Sequence, residues 1–426
     1  MKPVPLKPGE LRISLFLVSQ WQDLRNKGLK GLLSKLSKLV KLLAALPAAL
    51  LIRLLRPVVT IRLIQLRFER IGHMAAEPEI FLSKKDLGMV EPSDLEIFYP
   101  FRFYRAPVAN RQLYSMWLRT LRVIPAARWV DLANRLIPGG ARHSYDFGQP
   151  REWDLQGAFA RTRPHLSFTR EETLKGFEML RTIGVPAARP FVCFIARDPS
   201  YLTSHQPTEG DYNRRWNFRD SDIETYMPAI RALTERGYYA LRMGAAVAKP
   251  LSMTHPMVID YATQARSDFM DIFLIAQCAF YLGDTAGLFE VPSIFRRPIA
   301  WVNLVPLEHM PGWGPRDLVI TKIFYARDKG RYLTFAEIFD LGLATAYHDE
   351  RYEELGVEVH NNTPEEIAAL AIEMDARLKG TWHPSEEDED LQRRFWAIFN
   401  PRDSLGRVTT SRIGATFLRK YRELLE

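Results

Sequence analysis

The sequence predicts an α/β protein built from two Rossmann-type, doubly wound lobes, preceded by an amphipathic helical extension at the N-terminus. Three observations predict it. Apolar runs of strand length alternate with helical stretches through the second half of the chain, the pattern of a parallel sheet covered on both faces. A strand-to-helix junction opens the first lobe near residue 72, and the first 56 residues carry leucines at helical spacing among lysines. The chain has 426 residues, 47% hydrophobic and 25% charged, which is enough for two or three domains with real cores.

The net charge of +8 belongs to one end of the chain. Residues 1–66 hold twelve Lys/Arg against Glu10 and Asp23, while the other 360 residues hold 46 basic and 48 acidic groups. Nucleic acid is therefore not an expected partner, because a nucleic-acid footprint would need basic residues on the body. Two cysteines, Cys193 and Cys278, both lie in apolar runs, which excludes a disulfide framework and a cysteine-rich zinc module.

The N-terminal segment, residues 1–56, places Leu29, Leu32, Leu33, Leu36, Val40 and Leu43 on one helical stripe, with Lys27, Lys30, Lys35, Lys38 and Lys41 on the other face. The apolar run Leu42–Ile52 has eleven residues and contains Pro47, whereas a bilayer span needs about 20. The expectation is a helix lying on an anionic membrane surface through residues 26–56, with docking on the protein's own core as the alternative. The expected location is therefore peripheral, on a membrane surface.

The first lobe, residues 57–185, begins with a strand over 58–70, where Ile64, Leu66 and Phe68 alternate with Gln65, Arg67 and Glu69. It ends at Gly72-His73 before a helix. A second strand covers Leu95–Tyr99, and helices cover 110–122, 126–136 and 170–182. Gly184 to Pro190 reads as a hinge.

The second lobe, residues 186–380, has strands at Phe191–Ala196, Tyr238–Arg242, Met257–Tyr261, Cys278–Leu282 and Ile299–Asn303. Helices are expected at Asp222–Arg236, Phe269–Gln277 and 287–296. Thr363-Pro364-Glu365-Glu366 carries a cap, a first-turn proline and first-turn acids, so a helix starts there. Residues 381–426 read as a helical extension.

Ligands of open α/β sheets bind at the carboxyl ends of strands. Three such junctions present polar groups: Arg197-Asp198, Arg242-Met243-Gly244, and Gly283-Asp284-Thr285-Ala286-Gly287. Two guanidinium groups and one helix N-terminus facing a common crevice suit a phosphorylated ligand. The plainer readings are an Arg197–Asp198 ion pair, Gly244 as a strand end and Thr285 as an ordinary cap. Asp220-Ser221-Asp222 resembles a metal-binding acid pair, but Ser221 and Glu224 also read as a capping box, so no metal is assigned. No phosphate loop of the GxxxxGK[ST] type, no GxGxxG, no HExxH and no GxSxG occurs. His73 stands out by its place after the first strand, where it would point across an interlobe cleft toward Arg197 and Thr285; a solvated turn histidine is the alternative.

The runs "FVCFIARDPSY", "NFRDSDIETYMPAIRALTERGYYALRMG", "VIDYA", "SDFMDIFLIAQCAFYLGDTAGLFEVPSIFRRPIAWVNLVP" and "LTFAEIFDLG", with "RIGHMAAEPEIFL" before them, resemble a family of bacterial glycosyltransferases found with surface-polysaccharide biosynthesis. The resemblance spans roughly residues 58–375. It implies a GT-B-like architecture, with the nucleotide sugar held by the C-terminal lobe and a glycan or lipid-linked acceptor by the N-terminal one. It also implies metal-independent transfer, with no cofactor beyond the donor substrate.

On that resemblance the donor diphosphate falls to Arg197, Arg219, Arg242, Gly244 and Thr285-Ala286-Gly287. The base is His73 first and Asp198 second, with Glu77 and Glu79 as further candidates. The family pattern often reads His and then Arg-Asn where this chain has Trp216 and Arg219-Asp220, which puts the role of that loop in question. Two other readings stand beside the enzyme. One is a catalytically silent relative that scaffolds polysaccharide assembly. The other is a metal-dependent phosphate-ester enzyme using Asp220, Asp222, Asp268 and Asp271.

Overall fold

The computed structural model describes residues 8–101, 108–148, 153–200, 217–312 and 314–426, and side chains of the first helix from residue 30 onward. Lys27 and Leu29 of the expected stripe, and Trp216, lie outside those side chains. The chain divides into two compact units, Met1–Gln65 with Pro92–Phe103 and Leu121–Asp146, and Leu66–Glu91 with Tyr104–Thr120 and Phe147–Glu426. This partition differs from a boundary at 185/186, because segments 66–91, 104–120 and 147–185 group with the C-terminal sheet.

The first unit holds a helix Pro8–Leu54, strands β1 (Ile61–Leu66) and β2 (Leu95–Pro100) forming a two-stranded sheet, and a helix Ala127–Arg135. A doubly wound first lobe was expected; the described residues of this unit hold two strands. Its core is Ile52, Ile61, Leu63, Tyr99 and Ala127. The long helix docks through small residues, since Ala45 and Ala49 pack on Ala133 with Leu42, Leu46 and Trp129 around them. Small side chains let the two helices approach closely, and Arg53 then secures the contact. Its guanidinium donates to Asn134 Oδ1 at 2.8 Å and to the carbonyls of Asn134, Ile137 and Pro138 at 3.0, 2.8 and 2.7 Å. These carbonyls lie at and just beyond the C-terminus of helix Ala127–Arg135, the end where a cation is favourably placed.

The second unit is built on a seven-stranded sheet. Its strands are β3 (Phe191–Ile195), β4 (Tyr239–Arg242), β5 (Val258–Ile259), β6 (Tyr281–Gly283), β7 (Ile299–Leu304), β8 (Leu318–Thr321) and β12 (Arg412–Ile413). The spatial order is β12-β8-β7-β6-β3-β4-β5, and every pair is parallel. The protein is therefore mixed α/β with a large parallel sheet. Strands β3, β6 and β7 are buried at every position, as sequences without polar alternation require. A small antiparallel sheet, β10 (Arg331–Tyr332), β9 (Ile323–Ala326) and β11 (Val357–His360), sits beside it.

Several expected elements are altered. Residues 381–426 are not only helical, because β12 extends the main sheet on β8. The expected helix 222–236 is a 3₁₀ turn, Ile223–Tyr226, followed by helix Met227–Glu235. Its cap is Asp222 rather than Ser221, so the Ser221–Glu224 capping box does not form. Residues 287–296 form a three-residue 3₁₀ turn, Gly287–Phe289, and a five-residue helix, Glu290–Ile294. The Thr363 capping box forms as expected, opening helix Pro364–Leu378 with Glu366 reaching back.

Two sets of helices cover the sheet. Met227–Glu235 packs on Pro364–Leu378, which also contacts Ala415–Lys420. Asp268–Gln277 packs on Arg111–Thr120 and Arg170–Thr182. The last contact is close: a Cβ on Gly176 would stand 2.3 Å from the Phe273 ring. Phe273 is fully buried among Phe168, Phe177 and Phe269 and has nowhere to move.

Gly176→Val is therefore expected to lower stability. Overpacking costs about 1–3 kcal/mol, and the helix-propensity gain on replacing glycine is well below 1 kcal/mol for a β-branched residue. A denaturant midpoint unchanged from wild type would show that the ring can yield.

Candidate functional site

Strand order reverses between β3 and β6. From β3 the chain moves outward through β4 and β5, returns to β6 on the other side of β3, and continues through β7 and β8. The loops after β3 and β6 therefore part at a topological switch point, where open α/β sheets form their ligand crevice.

Asp284 follows β6 and is fully buried. Its Oδ2 accepts from the Arg197 backbone N–H at 2.6 Å and from the Ser221 hydroxyl at 2.7 Å. The loop after β3, the loop after β6 and the 217–222 segment thus meet on one carboxylate oxygen. Its Oδ1 is buried and has no hydrogen-bond partner among the described residues.

Around it stand three cations. Arg197 Nη1 pairs with Asp220 Oδ1 at 2.6 Å. Arg219 Nε donates to Thr285 Oγ1 at 3.3 Å, and its Nη2 donates to the Thr285 carbonyl. Lys322, which follows β8 and is 2% exposed, donates to the carbonyls of Phe218 and Asp220 at 2.6 and 2.9 Å. Two guanidinium groups and one ammonium thus face two carboxylates.

Burial shifts the titration of most of these groups. It raises the Asp220 carboxyl to about 6 against the attraction of Arg197, and it raises Asp284. It lowers the Lys322 ammonium to about 8 although Asp284 and Asp220 oppose this. Arg219 falls to about 9 through burial and then the like charge of Arg197. Guanidinium groups that crowd and destabilise each other's charge are the electrostatic complement of an anion.

The sequence-level candidates divide. Arg197, Arg219 and Thr285 belong to this cluster. Arg197 pairs with Asp220 rather than with its neighbour Asp198. Arg242 lies at the end of β4, is 2% exposed, donates to the Lys249 carbonyl at 2.6 Å and faces Asp260 at 3.6 Å. These contacts hold the 244–251 loop. Gly244 starts that loop with φ 153°, and a Cβ there would fall 2.7 Å from Val247. Arg242, Asp198 and Asp220 line a cleft of about 320 Å³ with Lys249 and Asn361.

Asp198 accepts from the backbone N–H groups of Ser200 and Ala248, both at 2.8 Å. Burial raises its pKa, but these bonds and nearby Arg242 outweigh it and the net shift is downward. A carboxylate held ionised in this way is a weak base.

The Thr285-Ala286-Gly287 turn does not begin a helix able to hold an anion on its dipole, since three residues of 3₁₀ and five of α-helix follow. Ala286 N–H is spent on the Asp284 carbonyl at 2.8 Å. Thr285 contributes its oxygens to Arg219 instead.

His73 lies in helix Ile71–Asp86, 9% exposed, with Nδ1 3.1 Å from Glu77 Oε1. Glu77 accepts from Nδ1 only when the imidazole carries its proton on that nitrogen. The preceding Gly72 rests on the 285–287 turn, where a Cβ would come within 3.2 Å of the Gly287 carbonyl oxygen. Glu79, in contrast, is fully buried and ion-paired with Arg296 at 2.6 Å and His165 at 3.2 Å, so it ties its helix to the loops that carry them. Asp268 and Asp271 pair with Arg266, not with Asp220 or Asp222. No group of three or more metal-ligating side chains occurs among the described residues.

Sequence reading missed Lys322, Ser221 and the central role of Asp284. Lys322 left one signal, a single cation inside the apolar run Leu318–Ala326. Ser221 was assigned to a cap because its spacing to Glu224 satisfied that pattern.

The shifts set a pH dependence. Asp220 titrates near 6 when folded against an ordinary 3.8, so the folded state holds that proton more tightly and stability falls as pH rises from about 4 to about 6. Lys322 titrates near 8 against 10.5, so its contribution rises as pH climbs from about 8 to about 10.5. Thermal midpoints across this range should lose the acid-side fall in Asp220→Asn and the alkaline rise in Lys322→Met. Profiles parallel to wild type would contradict the assignment.

No family model matches the chain, and no curated protein does. Solved structures similar to it include the following three. One is the glycosyl transferase family 9 protein from Veillonella parvula DSM 2008, at 11% identity and TM-score 0.33, covering 57% of this chain and 80% of that one. A second is the ADP-heptose LPS heptosyltransferase II of E. coli, at 14% and 0.32, covering 57% and 84%. The third is the iron-containing dodecameric glycosyltransferase TibC from enterotoxigenic E. coli H10407, at 10% and 0.38, covering 76% and 80%.

Proposed function

We propose that this protein is a glycosyltransferase that moves a sugar from a nucleotide-sugar donor to a glycan or lipid-linked acceptor, without a metal, in surface-polysaccharide biosynthesis. The observation that carries the reading is the convergence of Arg197, Arg219 and Lys322 at the β3–β6 switch point. The sequence resemblance, from "FVCFIARDPSY" through "YLGDTAGLF", supplies the sugar.

In the proposed reaction the acceptor hydroxyl attacks the anomeric carbon as the bond to the donor diphosphate breaks. Negative charge develops on the departing phosphate oxygens. Arg197 and Arg219 meet it with fixed guanidinium groups, and buried Lys322 holds the 217–220 segment that presents Arg219. Donors already oriented before the reaction stabilise charge without reorganising, usually the largest share of rate enhancement. The hydroxyl proton passes to Nε2 of His73, whose ring Glu77 orients.

A catalytically silent relative that serves as a scaffold is favoured by one observation: Arg197 and Arg219 already have partners within the protein. A donor must draw Arg197 from Asp220 to be bound, and a silent protein need not.

Thermal stabilisation by a panel of nucleotide sugars separates the two. A donor should raise the midpoint of wild type. Arg219→Ala and Arg197→Ala should bind it about 10- to 100-fold more weakly, since a hydrogen bond to a charged group contributes about 1.5–3 kcal/mol. His73→Asn should retain donor binding and lose transfer. A panel without any stabilising member would leave the scaffold reading in possession.

A further inference from the structure

The docked face of the first helix accounts for Ala45, Ala49 and Ile52, which are 7%, 0% and 8% exposed. A second apolar face remains. Leu32, Leu36, Leu39, Leu43, Leu50 and Leu54 are all at least half exposed, from 50% at Leu39 to 77% at Leu54. At about 100° per residue they share one side of the helix, and with Leu33, Val40 and Leu51 they cover about 120° of its circumference along about 33 Å. An apolar surface of that length is not ordinary solvent-facing helix.

The charges beside it name the occupant. Lys30, Lys38 and Lys41 are exposed and Lys35 is half-buried. On the helical wheel Lys30 lies beyond one edge of the stripe and Lys35 beyond the other, while Lys38 lies opposite and Lys41 turns toward the docked face, its ammonium over the Trp129 ring. No acidic residue occurs between Asp23 and Glu69. A second copy meeting the stripe would bring two lysine-edged helices together, with like charges opposed. A bilayer of anionic lipid satisfies both features, because acyl chains take the leucines and headgroups take the flanking ammonium groups. No described helix is long and apolar enough to cross a membrane.

We infer that the leucine stripe Leu32–Leu54 is a lipid-binding face that holds the helix in the plane of an anionic membrane, while the alanine face keeps it docked on the protein. This inference rests on the helix alone and is independent of the proposed transfer reaction.

The test is co-sedimentation of the full chain with vesicles of equimolar phosphatidylcholine and phosphatidylglycerol, against vesicles of phosphatidylcholine only. The chain should pellet with the anionic vesicles, and high salt should weaken this. Leu36→Asp with Leu43→Asp should abolish it. Lys30→Gln should lower partitioning about fivefold, and Lys38→Gln, on the far side of the helix, should change it much less. Both leucines are exposed and the alanine face is untouched, so circular dichroism and the thermal midpoint should stay those of wild type. Three results would overturn the inference: a chain that stays in the supernatant with both vesicles, a leucine variant that pellets like wild type, or a dimer in light scattering that the variant splits, which would put a second copy on the stripe.

Discussion

Asp284 joins the two halves of the parallel sheet at the point where they diverge. Beyond the carboxyl ends of β3 and β6 the backbone ladder stops, and the two loops would separate without another contact. One carboxylate oxygen takes the Arg197 N–H and the Ser221 hydroxyl, which fixes the loop after β3 and the 217–222 segment against the loop after β6. The positions of Arg197, Asp220 and Arg219 follow from that anchor. A buried carboxylate is costly to maintain, and the hydrogen bonds to it, with Arg197 and Lys322 nearby, offset that cost.

The same buried charges explain why the cluster is poised rather than inert. Replacing such a network by apolar side chains of equal volume often leaves stability unchanged or improved, so stability is not a sufficient reason for it. What the network provides is a set of cations whose own repulsion is only partly compensated. Arg219 is lowered by burial first and then by Arg197. Arg242, chemically the same side chain, instead lies beside Asp260 and the Lys249 carbonyl. Site and scaffold roles therefore separate by environment and not by residue type.

The N-terminal helix shows the same division on a larger scale. Its alanine face and Arg53 serve packing, with Arg53 completing the C-terminus of helix Ala127–Arg135. Its leucine face packs on nothing within the first unit's core clusters. Small residues admit a neighbouring backbone at close range, whereas a broad row of leucines exceeds what one short helix can cover. Two apolar faces on one helix thus carry different duties.

The sequence by itself determined the parallel character of the main sheet, most of its strands and the helix at Thr363, because continuous apolar runs and caps are local patterns with local physical causes. It also put Arg197 and Thr285 at the carboxyl edge of the sheet, since the residues after a buried strand lie there, whereas Arg219 follows no strand and entered only through the resemblance. Only the tertiary structure decided which strand ends are neighbours, and with it the partners of each charge. Spacing made Ser221 a cap, yet Asp284, 63 residues away, claims its hydroxyl. Spacing made 287–296 one helix, yet the chain forms two short turns there. Lys322, β12 and the exposed leucine face became meaningful in the same way, because burial and pairing depend on what lies across the fold, and no local pattern contains that information.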